Sequence, residues 1–191
     1  MLNIPEYKEY GGETKIALMD NSSLAFMHEL SQKSYPSDGI LSVYDLILIP
    51  KWVMEEIEDS TYRSTYVEQL QAQGYPIRWI DETKYGTFVN DEDVNLYYIV
   101  EAAVSELMRF LRRKVKTEDL IDLPSAEEWM NRLYDEWPIH GRTLSTGRAL
   151  KKNAGEISLT ILAEIFAWYH DEVDSLTIYT QDTDAHEQSV S

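Results

Sequence analysis

Short apolar runs alternate along the chain with longer segments in which apolar residues recur at helical spacing. The first run is followed by Asp20, Ser22 and Ser23, whose side chains are suited to cap a helix, and Pro50 suits the first turn of another helix. Strands that alternate with helices in this way predict a mostly parallel sheet covered by helices. The predicted strands are residues 15–19, 46–49, 75–80 and 176–179.

The middle of the chain has a more helical pattern than the rest. Apolar spacing predicts helices over residues 91–116 and from 125 to about 137, while the Gly- and Thr-containing residues 140–147 are expected to form a loop. An apolar stripe from Ile157 to Tyr169 predicts one more helix before the last strand. We therefore expect a single three-layer α/β/α domain over residues 1–191, with a helical elaboration at approximately 86–152.

Composition narrows the class of protein. The chain has 191 residues, of which 43% are apolar, so it can bury one substantial core. It contains no Cys, which excludes disulfides and thiolate zinc sites, and no apolar run approaches the ~20 residues that span a bilayer. We expect a cytoplasmic protein that has no membrane partner.

Charge is unevenly distributed along the chain. With 34 acidic against 17 basic side chains, the net charge of −17 disfavours non-specific attraction to nucleic acid. Nine basic residues nevertheless fall in two clusters, which are candidates for nucleic-acid backbone contact because Lys and Arg supply most phosphate affinity. The first cluster could also be the solvated end of a helix. The clusters comprise Arg109, Arg112, Arg113, Lys114 and Lys116, and Arg142, Arg148, Lys151 and Lys152.

Several acidic residues stand where the predicted strands end. Asp20 directly follows the first strand, and Asp182 follows the last. In open α/β sheets, ligands gather beyond the carboxyl ends of the strands, and carboxylate oxygens are suited to hard cations such as Mg²⁺ or Mn²⁺. Each acid also has an ordinary alternative: Asp20 and Asp182 as turn or cap residues, Glu156 in a capping box, and Glu56 as an exposed helical charge.

Four segments occur in the order typical of one known family. They contain an Asp after the first strand, a Pro-x-x-Val-x-x-Glu helix, a Gly-Glu helix start and a Thr-x-Asp after a later strand. The series resembles the PIN-domain family along the whole chain, with approximately 86–152 least matched. Asn21 stands where that family more often has Thr or Ser. The matching segments are residues 17–24, 49–57, 154–158 and 178–184.

The resemblance implies a metal-dependent endoribonuclease, a hydrolase that cleaves RNA phosphodiesters with Mg²⁺ or Mn²⁺. Many bacterial members of the family are toxins of toxin-antitoxin pairs, so an antitoxin or another basic protein is an expected partner beside RNA. Ser22 and Thr180 are implied as supporting hydroxyls. The implied catalytic, metal-holding acids are Asp20, Glu56, Glu156 and Asp182, with Asp184 as an additional metal ligand.

Two other functions stay open at this point, as does homodimer formation. A PIN-like scaffold could act without catalysis as a protein-binding module whose negative charge attracts a basic partner, or the acids could serve a small-molecule phosphoesterase. Other catalytic schemes have little support, because the chain lacks G-x-S-x-G, H-E-x-x-H, Walker A and G-x-G-x-x-G motifs. The histidines show no metal-ligand spacing; they are His28, His140, His170 and His186.

Overall fold

The computed structural model describes residues 2–35, 38–89, 93–107, 125–136 and 140–181. Its main sheet has four parallel strands in the order β3-β2-β1-β6, and a separate antiparallel pair is formed by β4 and β5. The strands are β1 (Lys15–Met19), β2 (Leu46–Pro50), β3 (Ile77–Ile80), β4 (His140–Thr143), β5 (Ala149–Lys151) and β6 (Ser175–Tyr179).

Helices cover both faces of the main sheet. The first three α-helices pack against one another, while the fourth packs against the sixth. This arrangement confirms the predicted three-layer α/β/α architecture with a mostly parallel sheet. The helices are α1 (Asn21–Gln32), α2 (Lys51–Glu58), α3 (Thr61–Ala72), α4 (Asp93–Leu107), α5 (Ala126–Asp135) and α6 (Ala154–Tyr169), with 3₁₀ helices at Asp38–Val43 and Glu82–Phe88.

The two central strands explain why their sequences show no polar alternation. All of β2 and all of β1 except Lys15 is buried, because helices cover both sides of the sheet. β6 pairs with β1 so that Met19 lies opposite Tyr179. The carboxyl ends of β1 and β6 are therefore level, and the residues that follow them, Asp20 and Thr180, leave the sheet side by side.

The outer edge of β3 is covered by the start of the chain. Tyr7 donates its backbone N–H to the carbonyl of Trp79 over 2.7 Å, and Trp79 donates back to the carbonyl of Pro5 over 3.0 Å. Leu2, Ile4 and Tyr7 are buried in the same core. This cover satisfies backbone groups that would otherwise be open to pairing with another chain.

One expectation for the middle of the chain needs correction, and another is only partly described. Residues 140–147 do not form a plain loop: 140–143 and 149–151 are the paired strands β4 and β5. The helix expected over residues 91–116 is described from Asp93 to Leu107, and residues 108–116 lie outside the described part. Every helix of the described residues is too short or too polar to cross a membrane.

A buried carboxyl group closes the N-terminus of α2. Pro50, the residue before this helix, provides no side-chain cap. Glu82 Oε1 instead accepts the backbone N–H of Trp52 over 2.9 Å and the hydroxyl of Ser158 over 2.8 Å. Ser158 also shares a 2.8 Å hydrogen bond with the Tyr85 hydroxyl, so the network joins α2, α6 and the 3₁₀ helix between them.

The environment of Glu82 favours its neutral form. The side chain is fully buried, and its Oε2 has no hydrogen-bond partner among the described residues. Burial raises the pKa of Glu82 to about 8, against the lowering effect of the hydrogen bonds from Trp52 and Ser158. A protonated carboxyl group at neutral pH therefore links the helix that contains Glu56 to the core.

Candidate functional site

A small cavity lies at the carboxyl end of β1. Its volume is about 90 Å³, and it opens between α1, α2 and the start of α6. Each of these helices contributes an acid to its wall, so the structure brings together three of the acids singled out in the sequence. The lining residues are Asp20, Asn21, Ser22, Val53, Glu56, Asn153, Gly155 and Glu156.

Asp20 is both a helix cap and a wall of the cavity. Its Oδ1 accepts the backbone N–H of Ser23 over 2.7 Å, and its Oδ2 accepts the Ser22 hydroxyl over 2.7 Å. The capping role considered for Asp20 is therefore present. Each carboxylate oxygen still has a lone pair that these hydrogen bonds do not use, so capping does not exclude a ligand.

Glu56 is held by a chain of polar contacts across three helices. Its Oε2 accepts the Asn21 side-chain amide over 3.1 Å, and Asn21 Oδ1 accepts a guanidinium N–H of Arg63 over 2.8 Å. Glu56 is half-buried, unlike the neighbouring Glu58, so the alternative of an ordinary exposed helical charge is wrong. Among the described residues, its second oxygen, Oε1, accepts no hydrogen bond.

The electrostatic environment of Glu56 is mixed. Burial raises its pKa above the ordinary value, and the negative charge of Asp20 raises it further. The hydrogen bond from Asn21 and the positive charges of Arg142 and Arg63 lower the pKa in opposition. Glu56 therefore gives up its proton less readily than an exposed Glu, and a bound cation would favour its carboxylate form.

The start of α6 forms the third wall. Asn153 precedes this helix in a left-handed conformation, with φ at 60°, and makes no side-chain capping hydrogen bond. The capping box considered for Asn153 and Glu156 therefore lacks the hydrogen bond that the Asn153 side chain would accept from a backbone N–H of the first helical turn. Glu156 is half-buried in the first helical turn and lines the cavity.

Gly155 allows α6 to approach α2. A Cβ atom at this position would lie 3.0 Å from Val53 Cγ2 and 3.9 Å from Glu56 Oε1. Val53 is buried and both helices are anchored in the core, so neither wall can move away freely. The close approach sets the width of the cavity between Glu56 and the start of α6.

We expect Gly155→Ala to destabilise the protein by about 1 kcal/mol, because overpacking typically costs 1–3 kcal/mol and the better helix propensity of Ala recovers only part of that. Urea unfolding monitored by circular dichroism measures the change. Gly39→Ala is the matched control, since a Cβ there would meet nothing within 4 Å. Equal free energies of unfolding for the two variants would show that the Val53 side chain moves aside without destabilising the protein.

The end of β6 reaches the same place. Asp20 donates its backbone N–H to the carbonyl of Tyr179 over 3.1 Å, and Gln181 donates its N–H to the Ser22 hydroxyl over 3.0 Å. Thr180 between them is half-buried. The chain thus passes beside Asp20 immediately before Asp182, but Asp182 and Asp184 lie outside the described residues.

The second basic cluster lies on and beside the β4–β5 hairpin, and acids of α2 hold part of it. Arg142 pairs with Asp59 over 3.4 Å, and Arg148 pairs with Glu55 over 3.1 Å. Lys151 lies over the ring of Tyr134, 5.6 Å from its centroid, and Lys152 is exposed at the end of the hairpin. The first cluster, Arg109, Arg112, Arg113, Lys114 and Lys116, lies outside the described residues.

The chemistry of the cavity wall fits a hard cation better than a soft one. Its donors are carboxylate, hydroxyl and amide oxygens, which Mg²⁺ and Mn²⁺ prefer. Within the part of the chain that the structure describes, however, no group of three or more His, Asp or Glu side chains is close enough together to hold a metal ion. The donor types fit a cation, while the described acids alone do not complete its site.

Sequence reasoning missed two residues of this neighbourhood. The family resemblance marks Asn21 only as a departure from its pattern, and no sequence motif indicates Arg63. The contact between them joins residues 42 positions apart, and no local pattern signals it. The one available hint was that a polar amide directly follows Asp20 at the entrance of a helix.

Comparison with known proteins adds no relative: the chain matches no protein-family model, no curated protein and no solved structure. The candidate site therefore stands on its geometry and on the sequence resemblance alone.

Proposed function

We propose that this chain is a metal-dependent endoribonuclease that hydrolyses RNA phosphodiesters at the cavity beside Asp20. The observation that supports this best is the convergence of Asp20, which caps α1, with Glu56 of α2 and Glu156 of α6 on one cavity at the carboxyl end of a parallel sheet. Asp182 is the fourth acid of the proposal, on the basis of the sequence resemblance.

The proposed division of work follows from the contacts of these residues. Asp20, fixed by Ser22 and Ser23, and Glu56, fixed by Asn21, would hold Mg²⁺ or Mn²⁺ together with Glu156 and Asp182. The cation lowers the pKa of water and neutralises charge that develops on a phosphate. Hydrolysis joins a water oxygen to phosphorus and breaks one P–O ester bond, and the leaving oxygen takes up a proton. The fixed carboxylates restrict where these groups can lie.

Manganese is expected to stabilise the folded protein. A ligand present at ten times its Kd adds about 1.4 kcal/mol to the free energy of unfolding, which corresponds to roughly 3–5 °C in Tm for a chain of this size. Thermal unfolding with and without millimolar Mn²⁺ tests this expectation, since the cation also relieves repulsion between Asp20 and Glu56.

The metal test needs two matched variants. Asp20→Asn should lose the Mn²⁺ shift, whereas Asp135→Asn, an equally conservative change at an exposed position of α5, should keep it. A wild-type Tm that Mn²⁺ does not change, or an equal shift in the Asp20→Asn protein, would count against the metal site.

A non-catalytic protein-binding module is the second candidate function. Two observations favour it: the net charge of −17, which would attract a basic partner, and the lack of a complete metal-holding group among the described residues. An antitoxin would be one such basic partner, as the family resemblance implies.

One assay separates these functions. Purified protein is incubated with mixed RNA and Mn²⁺, and in parallel with a generic phosphate monoester. Cleavage of RNA that stops in the Asp20→Asn variant supports the nuclease, and turnover of the monoester alone supports the third candidate, a small-molecule phosphoesterase. If neither substrate reacts, the binding module is favoured.

A further inference from the structure

Arg63 is a cation with few partners beside the acidic cavity. It lies on α3, is half-buried, and donates one guanidinium hydrogen bond, to Asn21 Oδ1. Within the described residues it has no carboxylate at ion-pair distance, although a guanidinium group offers five N–H donors. A partly desolvated charge of this kind is costly unless another group binds it.

The contacts of Asn21 with Arg63 and Glu56 determine how the Asn21 side-chain amide is oriented. An arginine can only donate, and a carboxylate can only accept, so the Asn21 amide must turn its oxygen to Arg63 and its nitrogen to Glu56. Arg63 is therefore tied to the wall of the cavity through a single intervening side chain. Within the described part of the chain, its other guanidinium N–H groups donate no hydrogen bond.

A second guanidinium group lies near the end of α2. Arg142, on the β4–β5 hairpin, pairs with Asp59, the residue that follows α2 and lies three positions after Glu56. Burial lowers the pKa of Arg63, and the positive charge of Arg142 lowers it further, whereas the negative charges of Glu56 and Asp59 raise it. A bound anion would offset the positive charges of both guanidinium groups.

We propose that Arg63, assisted by Arg142, binds a phosphate group at the edge of the acidic cavity and holds the phosphodiester that is cleaved there. This assignment rests on the nuclease function proposed above. Guanidinium groups suit this task because their planar donors match two phosphate oxygens at once. Arg63 would position the phosphate, while the acids hold the cation on its opposite side.

Binding of inorganic phosphate tests the proposal without any cleavage step. Calorimetric titration is performed in EDTA, with chloride keeping the ionic strength constant. We expect Arg63→Gln to weaken phosphate binding at least about tenfold, because a charge-assisted hydrogen-bonded pair is lost, and Arg63→Lys to weaken it less. Arg78→Gln is the matched control: Arg78 is also half-buried, and the one partner of its guanidinium group among the described residues is the carbonyl of Ile77.

The outcomes separate this assignment from the proposed function. Equal phosphate affinity in wild-type protein and Arg63→Gln, or no phosphate binding by wild-type protein, overturns the phosphate site. Arg63-dependent phosphate binding by a protein that cleaves no RNA keeps the phosphate site and removes the nuclease. Where RNA is cleaved, Arg63→Gln should raise KM, and an unchanged KM contradicts the assignment. Thermal unfolding of each variant in chloride checks that the fold is intact.

Discussion

Replacing Asp20 by Asn is expected to reduce RNA cleavage at least about 100-fold, because an acid that holds the catalytic cation contributes several kcal/mol to the transition state. The fold should survive the change. Asn is as good a helix cap as Asp, so the hydrogen bond from the Ser23 N–H is kept, and the Ser22 hydroxyl can turn to accept from the new amide. The free energy of unfolding should change by less than about 1 kcal/mol.

The Asp20→Asn experiment combines initial rates of RNA cleavage in Mn²⁺ with thermal unfolding of the same samples. Asp135→Asn should cleave RNA at the wild-type rate, since the Asp135 side chain is exposed on α5 and does not line the cavity. Wild-type rates from folded Asp20→Asn protein would remove Asp20 from the catalytic site. Since Asn keeps the helix cap, a large loss of stability would instead show that the fold depends on the Asp20 carboxylate itself.

Replacing Glu82 by Gln is expected to change how stability depends on pH. Because the pKa of Glu82 is about 8 in the folded protein, against an ordinary value of 4.5, the folded state keeps a proton that the unfolded state releases. The contribution of Glu82 to wild-type stability should therefore be greatest below pH 4.5 and should fall by up to about 1.4 kcal/mol per pH unit until the pH passes 8. Gln has no proton to lose, so the variant lacks this decline.

Plotted against pH, the free energies of unfolding of the wild type and of Glu82→Gln should cross. At pH 5 the Gln variant should be slightly less stable, since its amide brings two donors to a site where Oε2 has no partner in the described part of the chain. At pH 9 it should be the more stable protein. Urea unfolding at pH 5, 7 and 9 measures the free energy of unfolding of each protein. Glu127→Gln, at an exposed position of α5, is the control and should follow the wild-type curve. Parallel curves for wild type and Glu82→Gln would show that Glu82 titrates normally.

The sequence predicted the central part of the fold because that part depends on local signals. β1 and β2 are continuous apolar runs, and a buried parallel strand needs no other signal. The β4–β5 hairpin could not be predicted in this way. Its first strand, His140–Thr143, is exposed along its length and has no apolar face, so its sequence resembles that of a polar loop.

The candidate site was predictable only in its acids. Asp20 follows a strand and Glu156 lies in the first turn of a helix, and such positions meet at one end of a parallel sheet. Glu56 lies in the second turn of α2 and is indicated only by the family resemblance. Glu82 stands in a polar stretch and looks like a surface charge, yet it is buried because it closes a helix that begins 31 residues earlier. Contacts of this kind depend on tertiary packing, which residue spacing does not encode.

The double role of Asp20 has an evolutionary consequence. A single base change turns an Asp codon into an Asn codon, and the new side chain still caps α1. Catalysis could therefore be lost in one mutational step, with no loss of fold for selection to remove. A nuclease and a non-catalytic binding protein of this architecture would then be immediate neighbours in sequence space, and a lineage could pass from one to the other through residue 20 alone.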